Sequence, residues 1–562
     1  MSEPVGTYAP LAVSGYRKVW GAAVVSNVGT FLQLTAGPWL MNELTGSPLM
    51  VSLVTAALSL PRLLLTIPAG ALADALDRRN LMITGNLVGA VSTGAMAIMV
   101  TSGTITAEWL LAWTFLLGVG SAITLPAQQT LVPDLVPANM RAQAITLNSA
   151  AFNVARAVGP SIGGLLVSAG LTAASFGINA ATFVLVVGVL LSFPRQPAED
   201  AQRHLFRSAA LGMRYVRFTR PIRRLIVIAG VFMLTASSVQ TLLPVVASDD
   251  LAVGATGFGL LYGALGLGAL AGVAGREAAR VRLGRHMLPG AIAAFGLGGI
   301  AFGLAPGPWI AGLAMAVSGV MWVWTLITLN ASIQTLAPRW VRGRVVSLYL
   351  LAIGLQPFGA VLSGAIAEVT GAGMAVAILS VGTVALGLFA SRLELPVLGE
   401  IDEPVIADNW QMPRHATQVA GTPVLVATTW EVDPDDVEAF MDHMRELRRT
   451  RLRTGAHRWS LYRDADRPYR ITEFMVVADW DEHLAQHARI DTEAAEVIRR
   501  SRAFDRADGP VTRHLAGLDI LASHAPPIAD QLITVHEQLH AHDGSTPLDH
   551  HDTDAPSGSR ER

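Results

Sequence analysis

Twelve apolar runs, each about as long as a bilayer crossing, occupy most of the first 395 residues and dictate what this chain can fold into. A helix spanning the hydrocarbon core needs about 20 predominantly apolar residues. Runs of that size fall at 18–40, 48–72, 81–102, 108–131, 143–168, 172–193, 224–247, 255–275, 287–305, 308–336, 345–368 and 372–393. Inside a bilayer no water is available to the backbone, so such runs satisfy their own N–H and C=O groups as helices. Composition agrees: 51% of the 562 residues are hydrophobic and 15% charged, against about 25% charged in an ordinary soluble domain.

The connections test this count independently, because cytoplasmic loops collect Lys and Arg. Alternate loops hold Arg78 and Arg79, then Arg141, then the stretch from Arg195 to Arg224, then Arg276 to Arg285, then Arg339 to Arg344. The loops between them, at 42–47, 102–108, 169–171, 249–254, 306–308 and 370–371, contain neither Lys nor Arg. The alternation predicts twelve spans in the plasma membrane with both termini cytoplasmic. Arg17 and Lys18 precede a run too long for a signal peptide and without a small-residue cleavage site, so that run is the first span. The expected organisation is an N-terminal segment (1–16), a six-helix half (17–193), a basic linker (194–223), a second six-helix half (224–395), a linker (396–420), a soluble domain (421–520) and a His-rich tail (521–562) expected to be disordered. In the basic linker Leu205, Phe206, Ala209, Ala210 and Met213 recur at helical spacing, with Arg203, Arg207, Arg214 and Arg217 on other faces. That pattern predicts an interfacial helix with its arginines near anionic headgroups.

The halves echo one another. Gln129-Thr-Leu-Val-Pro133 returns as Gln334-Thr-Leu-Ala-Pro338, Gly159 and Gly164 return as Gly359 and Gly364, and Gly70-Ala-Leu-Ala-Asp74 returns weakly as Gly272-Val-Ala-Gly-Arg276. Duplicated halves of this kind hold their substrate near the midplane, between the repeats.

Two motifs carry a family resemblance. Gly70-Ala-Leu-Ala-Asp74-Ala-Leu-Asp77-Arg78-Arg79 resembles the signature loop of the major facilitator superfamily, although Ala75 replaces a usual basic residue and Asp77 a usual glycine. Ala155-Arg-Ala-Val-Gly159-Pro160-Ser-Ile-Gly163-Gly164 resembles the antiporter motif of the fifth helix, in which small residues let backbones touch and Pro160 is expected to bend the helix. The runs Pro126-Ala-Gln-Gln-Thr-Leu-Val-Pro-Asp-Leu-Val-Pro137 and Asn153-Val-Ala-Arg156-Ala-Val-Gly-Pro are similar to the enterobactin-exporter-like branch, also described as transmembrane secretion effectors. The resemblance implies an all-α polytopic membrane protein of the major facilitator fold. It further implies secondary active export of a small amphipathic compound, such as a siderophore, drug or secreted metabolite, by alternating access and with proton coupling. Gly70, Asp74, Asp77, Arg78, Arg79, Gly159, Pro160, Gly163 and Gly164 would then serve gating. Thr114 stands where many proton-driven members carry an arginine, which weakens the coupling inference.

Charges at mid-membrane are costly and mark function by default. Arg62 and Arg156 lie about 20 Å up their helices at 1.5 Å per residue, near the bilayer centre. No Asp or Glu sits at that depth, so the pair points to an anionic or strongly hydrogen-bonding ligand, or to helix carbonyls that meet the charge instead. Asn27, Gln33, Asn153, Gln240 and Gln356 would line a cavity, and Trp322 would stack on an aromatic substrate; Trp324 offers the same. The net charge of −2 calls for no nucleic acid, and the absence of cysteine removes disulfides, thiolate metal sites and a thiol nucleophile. No cofactor or metal is expected. The bilayer and a small-molecule substrate are the expected partners.

Past Pro423 the pattern reads strand, helix, strand, strand, helix, strand. It resembles the small α+β ferredoxin-like fold of antibiotic-biosynthesis monooxygenases, which implies self-association through this domain. His457, Trp459, Trp480, His483 and His487 would suit an oxidative or metal site, but core tryptophans with surface histidines are the expected explanation. His536 and His540 in the tail have a spacing that would allow metal binding. Two further functions stay open from sequence: a membrane-tethered enzyme, and a non-transporting scaffold.

Overall fold

A computed structural model describes residues 8–193, 205–397, 423–506 and 509–517, with 66–75, 129–130, 132–134, 138, 142, 205–210 and 516 as backbone only. The chain forms two compact units, residues 1–404 and 405–562.

In the first unit, α1 (Ser14–Thr45), α2 (Pro48–Ala75), α3 (Arg78–Thr101), α4 (Ala107–Asp134), α5 (Arg141–Ser168) and α6 (Thr172–Leu191) are the first six crossings. The linker forms α7 (Leu205–Phe218). The seventh crossing is α8 (Arg220–Thr241), continued by the short α9 (Leu243–Val245) and a π-helical turn over Val246–Asp250. Next come α10 (Gly254–Leu283), α11 (Met287–Gly303) and α12 (Pro308–Leu336). The eleventh crossing is broken into α13 (Arg342–Ile353) and α14 (Gln356–Thr370), and α15 (Ala372–Ser391) is the last.

By length and composition alone, eleven segments can cross a membrane, one of them the 50-residue stretch Gly254–Gly303. A helix of that length would measure about 75 Å, over twice the hydrocarbon core. Gly284, at φ +48°, breaks it into α10 and α11. The crossings therefore number twelve, and an even number returns both ends of the unit to one face. Trp109 and Trp309, 51% and 91% exposed, begin equivalent helices at the arginine-free face, where an interfacial aromatic belt belongs.

The duplication seen in sequence reappears as packing. In the first half α1 packs on α5 and α6, α3 on α4 and α6, and α2 on α4. In the second half α8 packs on α14 and α15, α11 on α12 and α15, and α10 on α12. Each contact has its counterpart six crossings later. Two further contacts, α5 with α10 and α2 with α14, join the halves and exchange under the same repeat.

The linker helix packs on protein through a face other than the apolar one read from its sequence, whose Leu205, Phe206, Ala209 and Ala210 side chains lie outside the described residues. Leu211, Tyr215 and Val216 are buried, Tyr215 meets Trp340 edge-on at 5.5 Å, and Met213 is 54% exposed. The buried face thus covers α8 and α13, where Gly212 lets Arg344 approach. Met213, on the predicted apolar face, points away from this contact. Arg203 lies outside the described residues.

In the second unit, β1 (Val424–Glu431), α16 (Val437–Thr454), β2 (Arg458–Arg463), β3 (Arg470–Val477), α17 (Trp480–His487), α18 (Thr492–Arg502) and β4 (Val511–Ala516) build an antiparallel sheet of order β2-β3-β1-β4. The second helix of the expected pattern is split in two, because Asp479 and Asp491 each accept backbone N–H groups as N-caps. Alternate residues of β1 enter a core with Trp430, Phe440, Met444, Leu447 and Ile471. Buried Glu473 is held by Arg451 at 3.2 Å and by the Trp459 indole N–H at 2.6 Å. The 521–562 tail, including His536 and His540, lies outside the described residues.

Candidate functional site

The glycines of the fifth helix have two separate jobs. A Cβ on Gly159 would stand 2.5 Å from Phe31 Cβ, and one on Gly163 would stand 3.0 Å from Thr35 Cβ, so these two seat α5 on α1. On Gly164 it would lie 2.5 Å from the Ala255 carbonyl oxygen, across the boundary between halves. From the other side, a Cβ on Gly259 would lie 2.6 Å from the Pro160 oxygen and one on Gly266 2.7 Å from the Arg156 oxygen. Pro160 lacks an N–H, so the Arg156 carbonyl one turn earlier loses its helical donor; Gly266 leaves room for it. α5 nevertheless runs through Pro160 without a break.

The second half repeats this division. Gly359 abuts the Leu234 oxygen of α8 within its own half, its Cβ position lying 2.5 Å away. Gly364 abuts Ser52 of α2 across the boundary, at 2.7 Å from Ser52 Cβ.

Among the described residues, polar links join the halves at the arginine-free face. Asn42 Nδ2 donates to Ser248 Oγ at 2.8 Å, and Thr256 Oγ1 donates to Ser168 Oγ at 2.8 Å. The Glu368 carboxylate accepts from Ser47 Oγ and, at 3.1 Å, from the Leu49 N–H. A carboxylate at the first turn of α2 also suits the positive end of that helix.

Arg156 is half-buried on α5 and reaches across to the second half, its Cζ 5.9 Å from the Trp322 ring centroid. Trp322 itself packs with Phe232 at 5.5 Å and Phe295 at 5.7 Å. Tyr262 of α10 is an electrostatic neighbour of the guanidinium, and Tyr262 continues into Phe258 and Trp39 at ring separations of 6.2 and 5.7 Å. Among the described residues no carboxylate pairs with Arg156 and no hydrogen-bond acceptor engages it.

The other predicted site residues are dispersed. Arg62 donates from Nε to Ser121 Oγ of α4 at 3.0 Å, inside its own half. Buried Gln33 accepts from Asn179 Nδ2 of α6, again within the half. Asn153 donates to the Ser149 carbonyl one turn back at 2.9 Å. Asn27 and Gln356 are half-buried, and the Gln240 amide nitrogen is sealed from solvent without a partner. The Trp324 indole N–H is committed to the Gly272 carbonyl at 2.8 Å. An apolar cavity of about 380 Å³ between α2, α4 and α14 contains none of them; Leu53, Leu60, Phe115 and Phe358 are among its walls.

In the signature loop, Asp77 N-caps α3 by accepting from the Arg79 N–H at 2.9 Å. Arg79 donates to the Leu190 and Leu191 carbonyls at 2.8 and 3.1 Å, covering the C-terminus of α6 with a cation. Arg78 also has a partner. The side chains of Gly70 and Asp74 lie outside the described residues.

With this geometry in place, the matches to known proteins take on structural meaning. The sequence matches the transmembrane secretion effector family over residues 5–519. The chain belongs to that family. It is 29% identical to the multidrug efflux pump Tap of Mycolicibacterium fortuitum over 68% of this chain and 95% of that protein. It is also 24% identical to the staphyloferrin A transporter of Staphylococcus aureus, over 58% of this chain and 83% of the relative. Enterobactin exporter EntS of Escherichia coli is 27% identical over 59% and 80%, respectively. Solved structures share the fold: nucleoside transporter NupG superposes with a TM-score of 0.53 at 14% identity, covering 67% of this chain and 98% of NupG. The POT family transporter PepTSo gives 0.57 at 12% identity, over 67% and 97%. This transmembrane secretion effector therefore has the twelve-helix major facilitator architecture anticipated from its motifs.

The second unit corrects one expectation about the effector. His483 is 1% exposed, not on the surface, and neither ring nitrogen has a hydrogen-bond partner. His487 and His514 lie at ring separations of 4.7 and 4.9 Å, and Trp480 at 5.4 Å. Burial pushes the His483 imidazole down to about 3, and the neighbouring His487, His514 and Arg451 add to the effect. Among the described residues no group of three or more His, Asp or Glu is arranged to hold a metal ion. Sequence reasoning missed Ser121, Tyr262, Glu368 and the glycines of α10. The spacing of Gly259, Gly263 and Gly266 was the available signal for the last.

Proposed function

We propose that this transmembrane secretion effector is a secondary active exporter of the plasma membrane. Both termini would be cytoplasmic, and it would carry a small amphipathic compound, such as a siderophore or drug, by alternating access. One observation carries the reading. The halves meet along two repeat-related glycine seams, and polar links among the described residues tie them at the arginine-free face, so rocking about the seams can trade closure of that face for closure of the other. The efflux pump and siderophore transporters among its relatives support this direction and substrate size. Proton coupling fits the antiporter-type motif of α5. Self-association through the second unit is supported by Tyr462, Val511 and Leu515, which stand 59%, 58% and 49% exposed on one face of the sheet.

The test is transport in inverted vesicles with candidate siderophores and dyes, with and without a proton gradient. Gradient-dependent accumulation inside the vesicles is expected; accumulation only in right-side-out vesicles would reverse the direction. The chain has no cysteine, so a disulfide between Asn42→Cys and Ser248→Cys gives a clean second arm. Oxidation should stop transport and reduction restore it.

A further inference from the structure

We propose that Arg156, Tyr262 and Trp322 form an organic-anion subsite shared between the two halves: the guanidinium pairs with the ligand's carboxylate or sulfonate, and Trp322, backed by the buried Phe232 and Phe295, bounds its apolar body. Three observations converge on this. A guanidinium deep in an apolar bundle is expensive and is ordinarily matched by a carboxylate. Here no described acid pairs with it; what stands over it is an indole face at 5.9 Å. A cation–π contact offsets part of the cost yet leaves the five N–H donors of the guanidinium unspent. Tyr262, on the neighbouring half, adds a hydroxyl within electrostatic reach of the guanidinium. The two arms of the subsite move relative to each other when the halves rock, since Arg156 belongs to α5 and both aromatic groups to α10 and α12. An anion bound between them is therefore held more tightly in one state than the other, which is the requirement for a transported ligand. Binding itself does not need the exporter reading; only the movement that follows rests on it.

The experiment uses the purified full-length protein and matched pairs of aryl compounds, each a sulfonate or carboxylate with its neutral amide, read by ligand-induced thermal stabilisation. Wild type should bind the acids tighter than the amides by about tenfold, the scale of one charge-assisted hydrogen bond. Arg156→Met should erase that preference while leaving amide binding in place, and Arg156→Lys should keep part of it, retaining charge without the planar fork. Trp322→Phe should weaken acids and amides alike. Wild type without preference for acids, or an Arg156→Met protein that still prefers them, overturns the subsite. Loss of acid and amide binding together in both Arg156 variants identifies a structural clamp and overturns it equally. A protein that prefers acids through Arg156 but accumulates nothing in vesicles breaks the exporter reading and leaves the subsite standing.

Discussion

The two six-helix halves share a scaffold and differ in chemistry. Gly159 and Gly359 each seat a helix within its own half, and Gly164 and Gly364 each press against the opposite half. Polar and charged groups have not kept this symmetry. Arg156 corresponds to Gln356 two hundred residues later, and the aromatic cluster of Phe232, Phe295 and Trp322 belongs to the second half alone. Backbone contact at a crossing constrains a position to glycine whatever the substrate. A side chain that does not sit at such a crossing is free to specialise, and Arg156 against Gln356 is where the proposed subsite makes the halves differ.

The largest expected effect comes from breaking the shared part. A Cβ at Gly164 meets backbone on Ala255 and Gly259, with no flexible end to yield. Gly164→Leu should lower transport by about tenfold or more while insertion survives, since overpacked crossings are strained by roughly 1–3 kcal/mol or more. Gly364→Leu should lower it too, but less, because its first obstacle is the Ser52 side chain. Gly188, with nothing within 4 Å of its Cβ position, is the control, and Gly188→Ala should be silent. Efflux rates normalised to membrane abundance decide it. Equal rates in the Gly164 variant and wild type would mean the seam is not the moving joint.

Next in size is the asymmetric pair. Arg156→Gln makes the halves alike at this position and should cost export of anionic compounds severalfold more than export of neutral ones. Gln356→Arg, a second buried cation, should not restore what Arg156→Gln removes, because Trp322 and Tyr262 lie beside Arg156. Rescue by the double exchange would show that the halves are interchangeable at the ligand and would sink the contrast drawn above.

Much of this was legible in sequence, for a physical reason in each case. Apolar length and alternating arginines betray crossings because lipid enforces both. The glycine echo betrays the seams because only glycine fits there. The interruption at Gly354 and Leu355 is hidden in hydropathy, which runs unbroken from 345 to 368, and the signal for it was the pair Gly354 and Pro357. Gln33 and Arg62 read as cavity residues from composition alone; their partners, Asn179 and Ser121, sit on helices 146 and 59 residues away, and no local pattern connects them. Asp77 looked like a departure from the signature loop, whereas the cap it supplies to α3 explains an acid there.

A smaller effect belongs to the links at the arginine-free face, where the halves again differ. The second half contributes a carboxylate, Glu368, to the first turn of α2, while Asn42 and Ser248 offer only neutral groups. Glu368→Gln should change transport by a few-fold, a charge-assisted bond to a helix start being worth about 1 kcal/mol. Asn42→Ala should change it less. Labelling of a cysteine introduced at Asn42 should be faster when Glu368→Gln is added, and unchanged labelling would show that the carboxylate does not hold the face shut.

The smallest effect on transport is expected from the second unit, which has no repeat-related partner and carries its own pH sensitivity. His483 is buried with both nitrogens unpaired, so the folded state holds it neutral and its pKa falls from the ordinary 6.5 to about 3. The charged groups around it are His487 on the same helix, His514 on β4 and Arg451 on α16, all of which oppose a further positive charge. A group with a lowered folded pKa contributes its full stability above its unfolded value, here about 6.5, and loses it as pH falls toward the folded one. The unit should therefore melt progressively earlier between pH 6.5 and pH 3, while the membrane unit, whose fold does not depend on His483, keeps its transition. His483→Leu removes the titration and should flatten that slope, with transport at neutral pH unchanged. Calorimetry of wild type and variant across this range, following the two transitions separately, checks it. A variant that keeps the full acid slope would show that His483 is not its source.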